Sequence, residues 1–189
     1  MSSDILSRPV PVERFGLMYA GAQKNLGPAG ATIVIVRDDL VGKHGRDLPA
    51  YLDYKTHIGK NSIYNTPPVF SIWGIKLVLE WVKRNGGAEG MAKRAKKKSE
   101  LLYNAIDNSG GFYRSPVDSR YRSTMNVVFR LPSEELEKEF IKEAEQEGML
   151  GLKGHRSIGG CRASIYNSQT VENVQALVDF MQTFAKKKG

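Results

Sequence analysis

At 189 residues, 41% hydrophobic and 25% charged, the chain has ordinary globular composition and is long enough for one core or two small lobes. No apolar run reaches the roughly 18 residues of a membrane span. The opening MSSDILSRPVPV lacks the basic-then-apolar order of a secretory signal, and one cysteine, Cys161, excludes an internal disulfide and a multi-cysteine metal site. A soluble protein of a reducing compartment, most simply the cytoplasm, is expected, and the formal charge of +8 points to anionic partners of some kind.

Taken in chain order, residues 15–20 (FGLMYA) and 31–36 (ATIVIV) read as strands, each a short apolar run bounded by Gly or Pro. Neither alternates cleanly, so both are expected to be buried on two faces of a layered α/β sheet. Residues 38–64 are polar and irregular, mostly loop. A helix is expected after Pro67 and Pro68, with both prolines in its first turn; its body VFSIWGIKLVLEWVKR is apolar nearly all round and reads as a buried core helix ended by Asn85-Gly86-Gly87. Residues 88–108 form a second helix, with Leu101, Leu102, Ala105 and Ile106 on one side. The pattern then changes: strand TMNVVFRL (124–131), an amphipathic helix over 133–148, short strands MLGLKG and CRASIY, and a last helix over 170–185. That order is an α+β lobe with an antiparallel sheet. The lobe boundary falls near residues 86–92, giving an α/β segment 1–90 and an α+β segment 91–189.

Three stretches carry residues suited to chemistry. In YAGAQKNLGPAG (19–30), Lys24 is expected to leave the end of a buried strand, hemmed by Gly21, Ala22, Gly27 and Gly30. A lysine does covalent chemistry when desolvation or a nearby cation keeps its amine partly neutral. The alternative is a solvated turn lysine. In SIYNTPP (62–68), Asn65 and Thr66 precede a helix N-terminus, where free amides and the macrodipole attract phosphate. The alternative is that one of them simply caps the helix. In LKGHRSIGGCRASIYN (152–167), His155, Arg156 and Arg162 converge among glycines, a set of donors for carboxylate or phosphate. Arg162 begins an apolar strand and needs a partner there, either a ligand or an internal carboxylate. The basic run Lys93–Lys98 and the tail Lys186–Lys188 lack interleaved aromatics, so they read as a solvated helix face and a frayed end rather than a nucleic-acid surface. His44 and His57 have no metal-ligand spacing.

Together these stretches resemble the phosphoserine aminotransferases, fold-type I, class V pyridoxal-phosphate enzymes. The resemblance extends to the opening SSDILSRPV and to FYRSPV…RSTMN, and it covers essentially the whole chain. It implies that residues 1–90 are the C-terminal part of the cofactor-binding large domain, a mixed sheet with helices, and that 91–189 are a smaller α+β domain. It implies pyridoxal 5′-phosphate as cofactor, held covalently by Lys24, which also moves the substrate proton. Gln23 would hold the cofactor phosphate. Asn65 and Thr66 would do so for the neighbouring subunit of a homodimer. Arg162 would take the substrate α-carboxylate, and His155 with Arg156 the phosphate of phosphoserine. The implied reaction passes the amino group of glutamate to 3-phosphohydroxypyruvate, a step of serine biosynthesis, with no metal, nucleic acid or membrane involved. The match is to the C-terminal half of the family's sequence. The aspartate that pairs with the pyridine nitrogen, the stacking aromatic ring, the amides that cradle the phosphate and a second His-Arg pair belong to the other half. The competing expectation is a catalytically inactive module that keeps the small domain and the dimer surface.

Overall fold

The computed structural model describes residues 1–189, which divide into two compact units, Met1–Gly87 and Ala88–Gly189. In the first unit, β1 (Leu17–Gly21) and β2 (Thr32–Val36) pair antiparallel, Met18 opposite Ile35 and Ala20 opposite Ile33. A short helix, α1 (Tyr54–Gly59), lies in the segment expected to be loop; Asp53 starts it by accepting the Lys55 amide. The long helix α2 spans Val69–Arg84 and ends at Asn85, with Gly86 and Gly87 at positive φ beyond it. Both prolines lie outside the helix, with Pro68 at the N-cap.

The core of this unit is small: Ala20, Ala22, Leu26 and Ile75, with Met1, Ile5, Leu6, Ala31 and Ile33 packed around them. Two expectations fail for that reason. The strands are not buried on both faces: β1 alternates, with Met18 and Ala20 buried while Leu17 and Tyr19 are exposed. Nor is α2 a buried helix. Only Ser71, Ile75 and Val82 are buried, whereas Phe70 is 70% and Trp73 54% exposed, alongside Val69, Ile72, Leu77 and Leu79. Nothing within the unit covers this apolar face.

A contiguous exposed apolar surface promotes association. The chain by itself should therefore self-associate through α2, and amides of residues 1–87 should exchange faster than those of 88–189. Sedimentation velocity with hydrogen exchange checks this. A monomer with strong, uniform protection across 1–87 would contradict it.

The second unit has a continuous core. Helix α3 (Gly87–Asp107) contributes Leu102 and Ile106; β3 (Asn126–Phe129) pairs antiparallel with β4 (Cys161–Ser164), Val128 opposite Arg162. Helix α4 (Glu134–Gln146), capped by Ser133, buries Phe140 and Ala144, and α5 (Val171–Lys188), capped by Thr170, buries Val174, Leu177, Val178, Met181 and Phe184. Phe140 sits at the centre, edge-on to Phe129, Tyr113 and Phe184 at ring separations of 5.7, 6.0 and 5.2 Å. Burial pushes the Cys161 thiol up to about 12, so it behaves as a small apolar residue. MLGLKG does not form the expected strand. Gly148 and Gly151 take positive φ, and only an isolated bridge from Lys153 to Cys161 remains. No helix is long and apolar enough to cross a membrane.

The lysine run also departs from expectation at its last member. Lys98 is 1% exposed, and its Nζ donates to the carbonyls of Ile165, Tyr166 and Gln169 at 2.8–2.9 Å. It thereby ties α3 to the chain leaving β4. Burial, with a smaller effect of Arg94, lowers its pKa to about 8. Below pH 8 both folded and unfolded states hold the proton, so the desolvation cost stands in full. Between there and the ordinary lysine value the unfolded chain alone retains it, so stability rises with pH. Relative to Lys98→Met, the wild-type chain should gain on the order of 2 kcal/mol between pH 7.5 and 10. Denaturant titration at the two pH values reads this directly, and an unchanged difference would contradict it.

Candidate functional site

Lys24 stands on a tight turn between β1 and β2. The Leu26 and Gly27 amides both donate to Ala22 O, the Ala22 amide donates to Ala31 O, and Asn25 Nδ2 donates to the carbonyls of Ser3 and Ile5 at 3.0 Å. Asn25 and Leu26 are buried and Ala22 is fully so. This anchors the turn and leaves Gln23 and Lys24 projecting outward, both exposed. The expectation of a lysine at the end of a buried strand is thus corrected: the turn is buried and the amine is not. No hydrogen bond or ion pair holds Lys24 Nζ. The far side of the turn is fixed to α2 by Ser71, whose Oγ donates to Ala29 O at 2.7 Å. Gly30 allows that approach. Its φ is +110°, and a Cβ there would lie 2.8 Å from Ser71 Oγ.

Asn65 and Thr66 are exposed and do not cap α2, whose N-cap is Pro68 with no side-chain hydrogen bond. Asn65 Nδ2 donates to Thr66 O at 3.1 Å. Asn65 lines an open cleft of about 550 Å³ with Tyr51, Tyr54, His57 and Pro67, and neither Gln23 nor Lys24 borders that cleft.

In the second unit, Arg162 lies on β4, half-buried, between buried Cys161 and Ala163. Its backbone amide donates to Leu152 O at 2.8 Å, but its guanidinium Nε is buried without a hydrogen-bond partner. The internal carboxylate that sequence reasoning left open for it is absent from the ion pairs of the structure, which are otherwise placed. Just before β4 the chain makes a loop. The Gly154 amide donates to Gly160 O, and the Ile158 and Gly159 amides donate to His155 O. A side chain at position 154 would collide with the Gly159 carbonyl. His155 and Arg156 are exposed on this loop, and His155 Nδ1 lies 2.7 Å from Ser157 Oγ. Sequence reasoning missed the pair that braces the loop, Arg130 and Glu137. The available signal was a carboxylate at 137 on the buried stripe of α4, beside Phe140 and Ala144.

The family model described as aminotransferase class-V matches residues 1–177, and the chain belongs to that family. Among similar proteins, the phosphoserine aminotransferase of Niallia circulans is 58% identical over 189 residues, covering 100% of this chain and 52% of the relative. That of Herpetosiphon aurantiacus is 54% identical with the same coverage. The solved phosphoserine aminotransferase from Bacillus circulans subsp. alkalophilus superposes with a TM-score of 0.97 at 58% identity, over all of this chain and 52% of that one. A PLP-bound phosphoserine aminotransferase from Trichomonas vaginalis is 37% identical, with a TM-score of 0.91 over 96% of this chain and 52% of that one. The chain thus spans about half the length of the curated relatives it matches.

Proposed function

We propose that this chain supplies the cofactor lysine and the substrate-anion ligands of a pyridoxal-phosphate-dependent phosphoserine aminotransferase. The observation that carries the reading is Arg162: a guanidinium with a buried, unpartnered Nε on a strand end is costly alone and is matched by a carboxylate. The substrate α-carboxylate fills that need, and His155 and Arg156 on the adjoining loop take the phosphate. Glutamate and 3-phosphohydroxypyruvate then give 2-oxoglutarate and phosphoserine.

The residues present suit the cofactor. Lys24 offers a free primary amine, the group that joins an aldehyde, on a turn held rigid by Asn25. Gln23 beside it and the pair Asn65 and Thr66 offer amide and hydroxyl donors for a phosphate. When bound, pyridoxal phosphate supplies the electron-withdrawing ring that lets an amino acid lose its α-proton. Lys24 Nζ would hold the cofactor covalently and move that proton, and Arg162 would orient the substrate by its carboxylate.

Asn65 borders a cleft without Lys24. In this reading Asn65 and Thr66 serve the cofactor of the second copy in a homodimer. Changing both to Ala should weaken cofactor binding by roughly 1.5–3 kcal/mol per charged hydrogen bond lost, and loosen the dimer with it. Titration showing unchanged cofactor affinity would remove them from the site. The single buried cysteine suits a reducing cytoplasm. The exposed α2 face favours one other reading, a non-catalytic module that keeps a dimer surface. Turnover decides between them. A protein of the relatives' length containing this chain should form phosphoserine from glutamate and 3-phosphohydroxypyruvate, and equal use of pyruvate as acceptor would overturn the substrate reading.

A further inference from the structure

The loop bearing His155 and Arg156 rests on an ion pair whose carboxylate is buried and whose guanidinium is partly exposed. Arg130 follows β3, and its Nε donates to Glu137 Oε1 at 2.5 Å while its Nη1 donates to Ile158 O at 3.0 Å. Glu137, on α4, is 6% exposed and also accepts the Leu131 amide at 3.4 Å. The loop passes close over the arginine stem. Gly160 has φ +70°, and a Cβ there would lie 2.5 Å from Arg130 Cδ and 2.9 Å from Phe129 O. One planar guanidinium thus joins the end of β3, the buried side of α4 and the loop tip, a task for which its fixed fork of donors is suited.

The charge arrangement is selective as well. Lys153, His155 and Arg156 already give the loop a basic character, and a bare arginine beneath it would repel them. Glu137 neutralises Arg130, so the brace adds rigidity without changing the charge offered to an anion. We propose that Arg130 and Glu137 are positioning residues for the phosphate end of the substrate: they fix the Ile158 carbonyl and through it the placement of His155 and Arg156. This rests on the reading of those two residues as phosphate ligands.

Trypsin needs an extended, mobile segment around its site, so the rate of cleavage after exposed Arg156 reports how firmly the brace holds the loop. Arg130→Met alone strands a buried carboxylate, so the main test is the double variant Arg130→Met with Glu137→Met, which removes both charges together. Loss of the charged hydrogen bond to Ile158 O should speed cleavage at Arg156 by about tenfold or more, with other sites unchanged. Glu137→Gln, which keeps an acceptor for Arg130 but leaves its charge uncompensated beneath the basic loop, should fall between wild type and the double variant. Inorganic phosphate should slow cleavage of the wild-type chain, and the double variant should need about tenfold more for the same protection. An unchanged Arg156 rate in the double variant, or a uniform rise at every site, would overturn the inference while leaving the phosphate reading standing. Failure of phosphate to protect the wild type would overturn the ligand reading, and the positioning role with it, whereas the cleavage rates would still show whether the brace exists.

Discussion

Lys24→Ala should abolish transamination in an active phosphoserine aminotransferase containing this chain. Two losses combine. The cofactor loses its covalent anchor, and the substrate loses the amine that moves its α-proton. General acid–base catalysis alone is worth roughly 10²–10⁴-fold. The turn itself should survive, because Ala22, Asn25 and Leu26 hold it and Lys24 Nζ contributes no bond to it. Folding and the thermal stability of the cofactor-free protein should therefore be unchanged. A small primary amine added to the variant should restore part of the rate, as it can replace the missing base. Activity within tenfold of wild type in the variant would contradict the assignment.

Arg162 and Arg156 should separate the two ends of the substrate. Every amino acid presents an α-carboxylate, so Arg162→Ala should impair glutamate and phosphoserine alike. Only phosphoserine presents a phosphate, so Arg156→Ala should impair it far more than glutamate. Losing a charged hydrogen-bonding partner costs about 2–4 kcal/mol, or roughly 30- to 1000-fold in kcat/KM. The positions support the division. Arg162 is mounted on a strand with its Nε buried, while Arg156 stands exposed on the glycine-bounded loop before it. Half-reactions with each amino acid on both variants give the answer. Equal losses on the two substrates for Arg156→Ala would show that it does not hold the phosphate.

Local order was legible where the sequence carries its own punctuation. Pro67-Pro68 and Asn85-Gly86-Gly87 bracket α2, which runs Val69–Arg84, and the periodic apolar residues of α4 and α5 give their buried faces. What covers a helix was not legible. The α2 sequence reports hydrophobicity, yet its burial depends on neighbours that the unit does not contain. Lys98 was hidden for a related reason. A lysine within a basic run looks solvated, and its three acceptor carbonyls come from 67–71 residues further along the chain. MLGLKG looked like a strand until its two positive-φ glycines are taken into account. At the candidate site, residue chemistry alone left Lys24, Asn65, Thr66 and Arg162 each with an ordinary structural alternative. The structure removes the helix cap for Asn65 and Thr66 and the internal carboxylate for Arg162. It could not have been foreseen that the lysine turn is anchored through Asn25 to the N-terminal segment, since those contacts span 20 and 22 residues.

The central claim is that Lys24 is the residue that carries the cofactor. Incubation with pyridoxal phosphate, reduction with borohydride and peptide mapping test it most directly, because reduction makes the lysine–cofactor bond permanent. The account predicts the reduced cofactor on the peptide containing Lys24, in a protein of the relatives' length containing this chain. Stoichiometric label on any other lysine, with Lys24 unmodified, would contradict it.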